Sequence, residues 1–379
     1  MKKLSLILLS VILLASCQEE ESNPEIVSFS PSVGNYGDQV TITGSNFDEF
    51  NAVSFDGVEA TIVSVSPNQL VVTVPVGSKS GSITISEGDK RIESASSFTV
   101  TSGAWKKVAK APFIAEKSST VAFTIAQSAY FSVRHYEESG DKNEFWQYNQ
   151  VSNTWTERTP IAVDYAQSFD SKGFVIDGKG YMIEPSGGDL HEYNPETDKW
   201  TAKKALNFYG TEQSGILGAF SVGEFGYVLL SDRTLYRYTP ATDTWTGVNV
   251  PSMPKDVYTT VSTSDKVYFL ASGLKLYEFT TATTPASVVQ KASSPASVSA
   301  NPEILQGAGQ QAFIGESYNV MEFWQYSAPD NRWIQKAPFI GEQVYSGVHF
   351  SIGNKLYLGF GASAVSDVLL HDVYEYTPE

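Results

Sequence analysis

Most of the chain alternates apolar and polar residues with a period of two, which is typical of β-strands that bury one face. Between residues 24 and 101 the runs at 40–43 and 70–74 follow this pattern, and turn residues such as Gly37 and Pro75 separate such runs. Short strands at near-regular spacing, punctuated by Gly, Pro and Asx, are typical of two packed antiparallel sheets. This segment is therefore predicted to be a β-sandwich.

From residue 103 onward the pattern repeats at a regular interval. Four segments carry a Tyr followed seven residues later by a Trp, namely Tyr148 and Trp155, Tyr193 and Trp200, Tyr238 and Trp245, and Tyr326 and Trp333. The tryptophans are 45, 45 and 88 residues apart, so the last interval holds two units. Val288 stands in for Trp in the unit between them. Four strands in about 45 residues is the period of a β-propeller blade.

The two ends of the repeat region complement each other. The last unit stops at residues 373–379, where the strand that begins with Trp is due. That strand is found instead at 105–114, which closely resembles residues 333–340 of the fifth unit. We therefore expect the N-terminal strand to complete the last sheet, so that six sheets close into a ring. Closure removes the open sheet edges that otherwise invite aggregation.

The first residues of the chain carry an apolar segment of a different kind. Lys2 and Lys3 precede an apolar run over residues 4–14 that only serines interrupt. A bilayer-spanning helix needs about 20 apolar residues, so the run is too short to cross a membrane. A short cationic start followed by such a run is typical of a signal peptide.

Residues 14–17, Leu-Ala-Ser-Cys, resemble the lipobox of bacterial lipoproteins. The resemblance implies that a signal peptide of residues 1–16 is removed and that Cys17 is acylated, which makes the membrane a partner through the lipid anchor. Residues 17–23 then form a lipidated acidic linker. Its Gln-Glu-Glu-Glu sequence at 18–21 resembles the tag that marks some lipoproteins for display outside the outer membrane. An ordinary solvated linker, and a periplasmic location, are the alternatives.

Composition excludes several classes of function. The chain has 379 residues, with 26 Lys and Arg against 42 Asp and Glu, a formal charge of −16. Nucleic acid is not expected as a partner, because its phosphates need basic side chains. One cysteine allows no internal disulfide, cysteine-based zinc site or iron–sulfur cluster, and four scattered histidines argue against a multi-histidine metal site. We therefore predict no metal and no cofactor.

Four segments between residues 24 and 101 carry a more specific signal, namely 26–34, 40–47, 53–57 and 70–75. Through these segments, residues 24–101 resemble the IPT/TIG family of immunoglobulin-like domains. Such domains in surface lipoproteins are commonly spacers or protein-contact modules. The resemblance thus implies a spacer role, with ligand binding as the alternative.

Residues 103–379 resemble the kelch family, whose propeller blades also carry a Trp after the third strand. The Gly-Gly pair that kelch repeats carry after the second strand survives clearly only as Gly187-Gly188, so the family's functions transfer poorly. The predicted fold is all-β: an immunoglobulin-like β-sandwich followed by a six-bladed β-propeller that its N-terminal strand closes.

Candidate ligand-binding residues lie in the loops of one propeller face. In a four-stranded antiparallel blade, the loop into the first strand and the loop between the second and third strands border the mouth of the central channel. Tyr, Glu and Arg side chains gathered there would suit a sugar, with aromatic rings on its C–H face and polar groups on its hydroxyls. The candidates are Arg134, His135, Tyr136, Tyr165, Glu184, Tyr209, Arg233, Tyr258, Glu316, Tyr318 and Tyr345. A polar rim without a ligand is the alternative.

Three hypotheses for function remain open. The first is a non-catalytic surface lipoprotein that captures a glycan, or a protein partner, at the channel mouth. The second is a sugar mutarotase or epimerase with an acid–base pair drawn from Arg134, His135, Glu184 and Glu316. The third is a protein-interaction scaffold of the cell envelope. The copper-radical oxidases among kelch-like propellers need a cross-linked Tyr–Cys, which is excluded if Cys17 is processed as the lipobox resemblance implies. No catalytic residue is assigned.

Overall fold

The computed structural model describes residues 24–47, 52–87, 90–115, 120–135, 142–162, 171–185, 187–208, 215–295, 304–315, 321–366 and 368–378, without the side chains of Glu87 and His135. Within these ranges all elements of secondary structure are β-strands, so the all-β prediction is confirmed. No helix in the described ranges is long and apolar enough to cross a membrane.

The N-terminal part of the described chain is a two-sheet sandwich. Its strands are β1 (Glu25–Ser30), β2 (Val33–Gly34), β3 (Gln39–Ser45), β4 (Ala52–Phe55), β5 (Val58–Ala60), β6 (Ile62–Ser66), β7 (Gln69–Thr73), β8 (Gly81–Glu87) and β9 (Lys90–Val100). One sheet has the order β1-β3-β7-β6 and the other β2-β9-β8-β4-β5. Val40 and Ile42 of β3 are fully buried between them, and the Phe55 ring meets Phe98 edge-on at 5.1 Å. The period-two pattern thus places alternate side chains in one core.

The rest of the described chain forms six four-stranded antiparallel sheets, numbered here in chain order. Strand β10 (Ala104–Lys107) comes first and belongs to sheet 6. Sheet 1 contains β11 (Thr120–Ile125), β12 (Ser128–His135), β13 (Lys142–Asn149) and β14 (Thr154–Arg158). Sheet 2 contains β15 (Lys172–Ile176), β16 (Lys179–Ile183), β17 (Leu190–Asn194) and β18 (Lys199–Lys203). Sheet 3 contains β19 (Ile216–Val222), β20 (Phe225–Leu230), β21 (Leu235–Thr239) and β22 (Thr244–Val248).

The last three sheets follow the same plan. Sheet 4 contains β23 (Val257–Ser262), β24 (Val267–Ala271), β25 (Lys275–Thr280) and β26 (Ser287–Gln290). Sheet 5 contains β27 (Ile304–Ala308), β28 (Gln311–Gly315), β29 (Phe323–Ser327) and β30 (Arg332–Gln335). A short ladder joins β31 (Val344–Tyr345) to β34 (Ala362–Ser363), and sheet 6 contains β32 (Val348–Ile352), β33 (Lys355–Gly359), β35 (Val373–Thr377) and β10.

The six sheets pack against one another in chain order, mainly through their first strands. The first strand of each sheet, its innermost strand, contacts the innermost strand of the next sheet, and β32 of sheet 6 contacts β11 of sheet 1. Strand β10 pairs antiparallel with β35, so that Trp105 lies opposite Tyr376. The Trp105 ring is buried against Phe323 of sheet 5 and against Phe339, which follows the last strand of that sheet. This arrangement of four-stranded sheets is consistent with a β-propeller.

A polar clamp recurs between consecutive sheets. The Asp243 carboxylate accepts the Lys204 N–H at 2.9 Å and the Tyr238 hydroxyl at 2.7 Å, while the Trp245 indole N–H donates to the Lys204 carbonyl at 2.8 Å. Lys204 follows the outer strand of sheet 2, whereas the other three residues belong to sheet 3. Equivalent Asx–Trp clamps use Asn153 with Trp155, Asp198 with Trp200, and Asn331 with Trp333. Each clamp therefore holds the end of one sheet against the next.

The sandwich contacts the outer strand of sheet 5. The Lys336 ammonium donates to Asn35 Oδ1 at 2.6 Å and to the Thr101 carbonyl at 2.9 Å, although Lys336 is only 5% exposed. Next to it, Tyr36 forms an antiparallel β-bridge with Gln335. A buried ammonium needs such acceptors, because its desolvation is costly. We call this set of interactions the Lys336 contact.

Candidate functional site

A cavity lies between the innermost strands, and all six of them line it. Its upper chamber, at the end where these strands begin, has a volume of about 350 Å³. Its lower chamber has a volume of about 250 Å³. We call the two chambers together the axial cavity. Its position among the strands makes it the natural candidate for a ligand site in this fold.

Seven residues line both chambers. Leu305 is one of them, and the other six, one from each innermost strand, form what we call the waist. Sheets 1, 2 and 3 contribute small residues without polar side-chain atoms, and sheets 4, 5 and 6 contribute a hydroxyl, an amide and an imidazole. In that order the residues are Ala122, Gly173, Ala219, Thr260, Gln306 and His349. The waist therefore has an apolar half and a polar half.

Hydrogen bonds hold the polar half of the waist in place. The His349 Nδ1 atom lies 3.1 Å from Gln306 Oε1, so the ring nitrogen donates and the amide oxygen accepts. The Gln306 amide donates in turn to Ser351 Oγ at 3.2 Å. In the neutral imidazole this leaves Nε2 as the acceptor. Below them, the Thr124 hydroxyl donates to the Ser351 carbonyl at 2.5 Å, which ties sheet 1 to sheet 6.

The upper chamber carries two buried hydroxyls that make no hydrogen bond within the described chain, those of Thr120 and Tyr258. Burial raises the pKa of Tyr258 to about 12, so the phenol keeps its proton at neutral pH. No Asp or Glu is among the described residues that line either chamber, and the basic side chains there are Lys172 and His349. The cavity wall is thus largely uncharged and offers hydrogen bonds.

A second feature lies at the same end of sheet 2, in the turn between β16 and β17. Glu184 follows Ile183, which pairs with Lys172 at the start of β15. The Glu184 N–H donates to the Asp189 carbonyl and the Gly188 N–H donates to the Glu184 carbonyl, both at 3.0 Å. Gly188 has a φ of 76°, and a Cβ there would approach the Phe208 ring to 2.8 Å, so the turn requires glycine.

The Glu184 carboxyl is buried, with 7% of the residue exposed. Burial, with a smaller contribution from Asp189, raises its pKa to about 7. The His191 Nδ1 atom lies 3.7 Å from Glu184 Oε1, and burial lowers the pKa of this imidazole. At that distance the two groups are near each other without a direct hydrogen bond. They form a carboxyl–imidazole pair in which both groups are driven towards their neutral forms.

Other buried or partly buried acids in the sheets have a structural role. Glu192, Glu278 and Glu375 each lie near two lysines or more, at distances of 2.9 to 3.5 Å. Burial opposes their ionisation, but hydrogen bonds from tyrosine or lysine and the lysine charges outweigh it and hold each pKa below its usual range. Glu184 differs from them, because its surroundings raise its pKa.

The predicted site residues fall in different places. Tyr258 lines the upper chamber. Arg134 is partly buried in β12, opposite Asn143, and Tyr345 pairs with Ala362 in the short ladder. The exposed Arg233 turns back onto its own loop, where its guanidinium donates to the Ser231 carbonyl at 2.9 Å.

The remaining predicted residues have side chains outside the described part of the chain. His135 ends β12, and its side chain lies outside the description. Cys17, Tyr136, Tyr165, Tyr209, Glu316 and Tyr318 lie outside the described residues. Of the predicted set, the structure therefore brings Tyr258 into the axial cavity and places Glu184 in a buried turn at the same end of the sheets.

Sequence reasoning missed the residues of the waist. Gln306 and His349 lie within innermost strands, between buried neighbours such as Leu305 and Phe350. The signal that could have found them is a polar side chain at an alternate position of an innermost strand. Such a side chain faces the axis when its neighbours face the adjacent sheets.

Comparison with protein families assigns the first domain. The family model of the IPT/TIG domain matches residues 24–101. Residues 24–101 are an IPT/TIG domain. The predicted immunoglobulin-like domain is thereby confirmed, and the sandwich described above is its structure. No curated protein matches the chain in sequence.

Comparison with solved structures shows similarity across most of the chain at low sequence identity. A protein of unknown function from Bacteroides thetaiotaomicron VPI-5482 is 14% identical, with 95% of this chain and 99% of that chain covered and a TM-score of 0.50. The protein YjhT is 12% identical, with 70% of this chain and 95% of that chain covered and a TM-score of 0.53. An auxiliary nutrient binding protein from the same Bacteroides strain is 14% identical, over 83% and 97% of the two chains, with a TM-score of 0.39. The first two similarities concern the fold alone.

Proposed function

We propose that this protein is a non-catalytic cell-surface lipoprotein that captures a glycan at the mouth of the axial cavity. In this proposal the six sheets are the blades of a closed kelch-type β-propeller, and the IPT/TIG domain is the spacer that holds the propeller away from the membrane. The observation that carries the proposal is the axial cavity. Its described lining offers hydroxyl, amide and imidazole groups beside small apolar residues, and contains no carboxylate.

Such a lining suits a sugar better than it suits acid–base chemistry. Sugar hydroxyls both donate and accept, as do Thr260, Gln306 and His349. Apolar C–H groups of the sugar ring can lie against Ala122 and Ala219. A general acid or base would need a titratable group in reach of the reacting atoms, and the described wall supplies only Lys172, Tyr258 and His349.

The surface location rests on the N-terminal sequence. Residues 14–17 resemble a lipobox, and Cys17 is the chain's one cysteine. The acidic residues that follow resemble an outer-surface tag. Acyl chains contribute about 0.8 kcal/mol per buried CH₂, so several of them on Cys17 would hold the protein on the outer membrane.

A glycan array tests the proposal directly. The full chain would be purified in a detergent without a sugar headgroup and applied to neutral, amino and acidic polysaccharides. We expect retention by at least one polysaccharide. Failure to bind any of them, together with specific capture of one envelope protein in a pulldown, would replace glycan capture with the scaffold hypothesis.

A sugar mutarotase or epimerase is the second candidate, and the Glu184–His191 pair favours it. A carboxyl whose pKa is raised to about 7 beside a buried imidazole could donate and accept a proton near neutral pH. NMR saturation transfer between the anomers of free sugars would detect this activity. The second candidate requires that exchange between anomers is faster with protein than in buffer. Glu184→Gln should remove this acceleration, whereas the control Glu196→Gln, at an exposed site, should keep it.

A further inference from the structure

We infer that the waist of the axial cavity binds one uncharged sugar residue at the end of a glycan chain, and that the chain enters end-first through the upper chamber. This inference rests on the proposed function and specifies its ligand. Three properties of the cavity carry it: its enclosure, the two different halves of its waist, and the charge of its lining.

The enclosure favours the end of a chain over its middle. All six innermost strands line both chambers. A glycan therefore meets a continuous wall at the level of the waist and cannot be laid into it from the side. The upper chamber of about 350 Å³ lies at the small end of the range of about 300–1,000 Å³ for ligand sites, so it has room for on the order of one sugar residue.

The two halves of the waist match the two kinds of surface on a pyranose. One half consists of Ala122, Gly173 and Ala219, against which an apolar ring face can pack closely. On the other half, Gln306 and His349 are already oriented by their mutual hydrogen bond at 3.1 Å. Oriented polar groups lose less entropy when they bind hydroxyls, which favours recognition of one sugar residue at this level.

The lining charge favours an uncharged residue. Thr260 and Gln306 are neutral, and the Nδ1–H of His349 already donates to Gln306. A uronate carboxylate buried at the waist would therefore lack a matching cation, and burying an unpaired charge is costly. The lysine of the upper chamber, Lys172, already interacts with a residue of its own chain.

The upper chamber would hold the next residue of the chain. The partly buried Tyr258 lines it, and its side chain also packs against the hydrophobic core between sheets 4 and 5. Its hydroxyl and that of Thr120 are buried and make no hydrogen bond to the described residues, so each would gain one if it turned towards a sugar hydroxyl. Binding a second residue there would strengthen binding without being required for it.

Free monosaccharides test the inference, because an end-binding site must recognise the terminal residue alone. The full chain in a detergent without a sugar headgroup would be titrated with D-glucose, D-galactose, D-mannose, D-xylose, N-acetyl-D-glucosamine and sodium D-glucuronate, each up to about 50 mM. Saturation-transfer difference NMR would detect binding. We expect at least one uncharged sugar to bind, with glucuronate weaker, and that sugar to compete with the polysaccharide retained on the array.

Variants locate the binding at the waist. Ala219→Trp fills the cavity and should abolish binding, whereas Ala241→Trp, in an exposed turn, should leave it unchanged. His349→Ala adds no bulk and should weaken binding about three- to tenfold, as expected for one lost hydrogen bond. The His349→Ala variant therefore tests the waist even if Ala219→Trp does not fold.

The outcomes separate the inference from the proposed function. Polysaccharide binding without monosaccharide binding, or binding that survives Ala219→Trp in a folded protein, overturns end-first binding and leaves glycan capture standing. Preference for glucuronate over every neutral sugar overturns the uncharged ligand. If no polysaccharide and no monosaccharide binds, both proposals are wrong.

Discussion

At the scale of single residues, Glu184 has the most unusual electrostatic surroundings of the described carboxyl groups. Among the described residues, its basic neighbour is the His191 imidazole at 3.7 Å, whose pKa burial lowers. Glu192 is also buried, in the same sheet, but two lysines compensate its negative charge. The difference reflects position: Glu192 lies on a strand between two lysine-bearing strands, whereas Glu184 lies in a turn.

The raised pKa of Glu184 predicts a pH-dependent loss of stability. Between pH 4.5 and about 7 the folded protein retains a proton that the unfolded chain has released, so stability falls as pH rises through this window. Glu184→Gln removes the effect, because an amide is neutral throughout. At about pH 8 we expect the variant to be more stable than the wild type by up to about 3 kcal/mol, with little difference at about pH 5.

Urea unfolding at both pH values measures this difference. Glu196→Gln is the matched control, because Glu196 is exposed in the turn after β17. The control should show the same stability as the wild type at both pH values. A Glu184→Gln variant that is equally destabilised at both would mean that the carboxylate has a favourable partner in the folded protein.

At the scale of elements, the Asx–Trp clamps unite the hairpin of one sheet with the end of the previous sheet. The four Asx residues have φ values of 49 to 54°, a left-handed conformation that Asn and Asp tolerate better than other non-glycine residues. In sheet 4, where Val288 replaces Trp, the Val288 N–H instead donates to Ser252 Oγ at 3.0 Å. Sheet 4, whose hairpin has Val288 in place of Trp, thus makes a different contact where the other sheets have the clamp.

Breaking one clamp should destabilise the protein. Asp243→Ala leaves the buried Tyr238 hydroxyl without its acceptor and places alanine at a φ of 51°, with an expected cost of about 2–4 kcal/mol. Asp243→Asn keeps a side-chain oxygen and tolerates the backbone, so it should cost less than about 1 kcal/mol. Chemical unfolding of the two variants checks this, and equal stability would show that the clamp is not a stabilising element.

The sequence predicts the strands better than it predicts the polar contacts between the sheets. The spacing of Tyr193 and Trp200 marks a hairpin, and β17 and β18 form it. The partner of the Trp200 indole is the Thr159 carbonyl, 41 residues earlier in another sheet, which no local pattern indicates. The hydrogen bond between Gln306 and His349 was not predictable for the same reason, because it spans 43 residues and joins two sheets.

At the scale of the whole molecule, the Lys336 contact holds the IPT/TIG domain against sheet 5. The sandwich contributes Asn35 and the Tyr36 bridge, and its end at Thr101 contributes a carbonyl. Asp38 adds an ion pair to Arg332 at 3.6 Å, which is more exposed and so contributes less. A sandwich held by a buried charge keeps one orientation relative to sheet 5, so under the proposed function the spacer would also orient the mouth of the axial cavity.

Loss of the buried ammonium should release this orientation. Lys336→Met leaves Asn35 Oδ1 and the Thr101 carbonyl without their donor, which weakens the contact by about 1–3 kcal/mol. Opening of the Tyr36–Gln335 bridge should then become roughly five- to 150-fold more frequent. Hydrogen exchange at these amides would increase while exchange in β3 stays unchanged, and small-angle scattering would show a larger radius of gyration. Lys255→Met, at an exposed lysine, should change neither, and unchanged exchange in Lys336→Met would mean that the sandwich is held by other contacts.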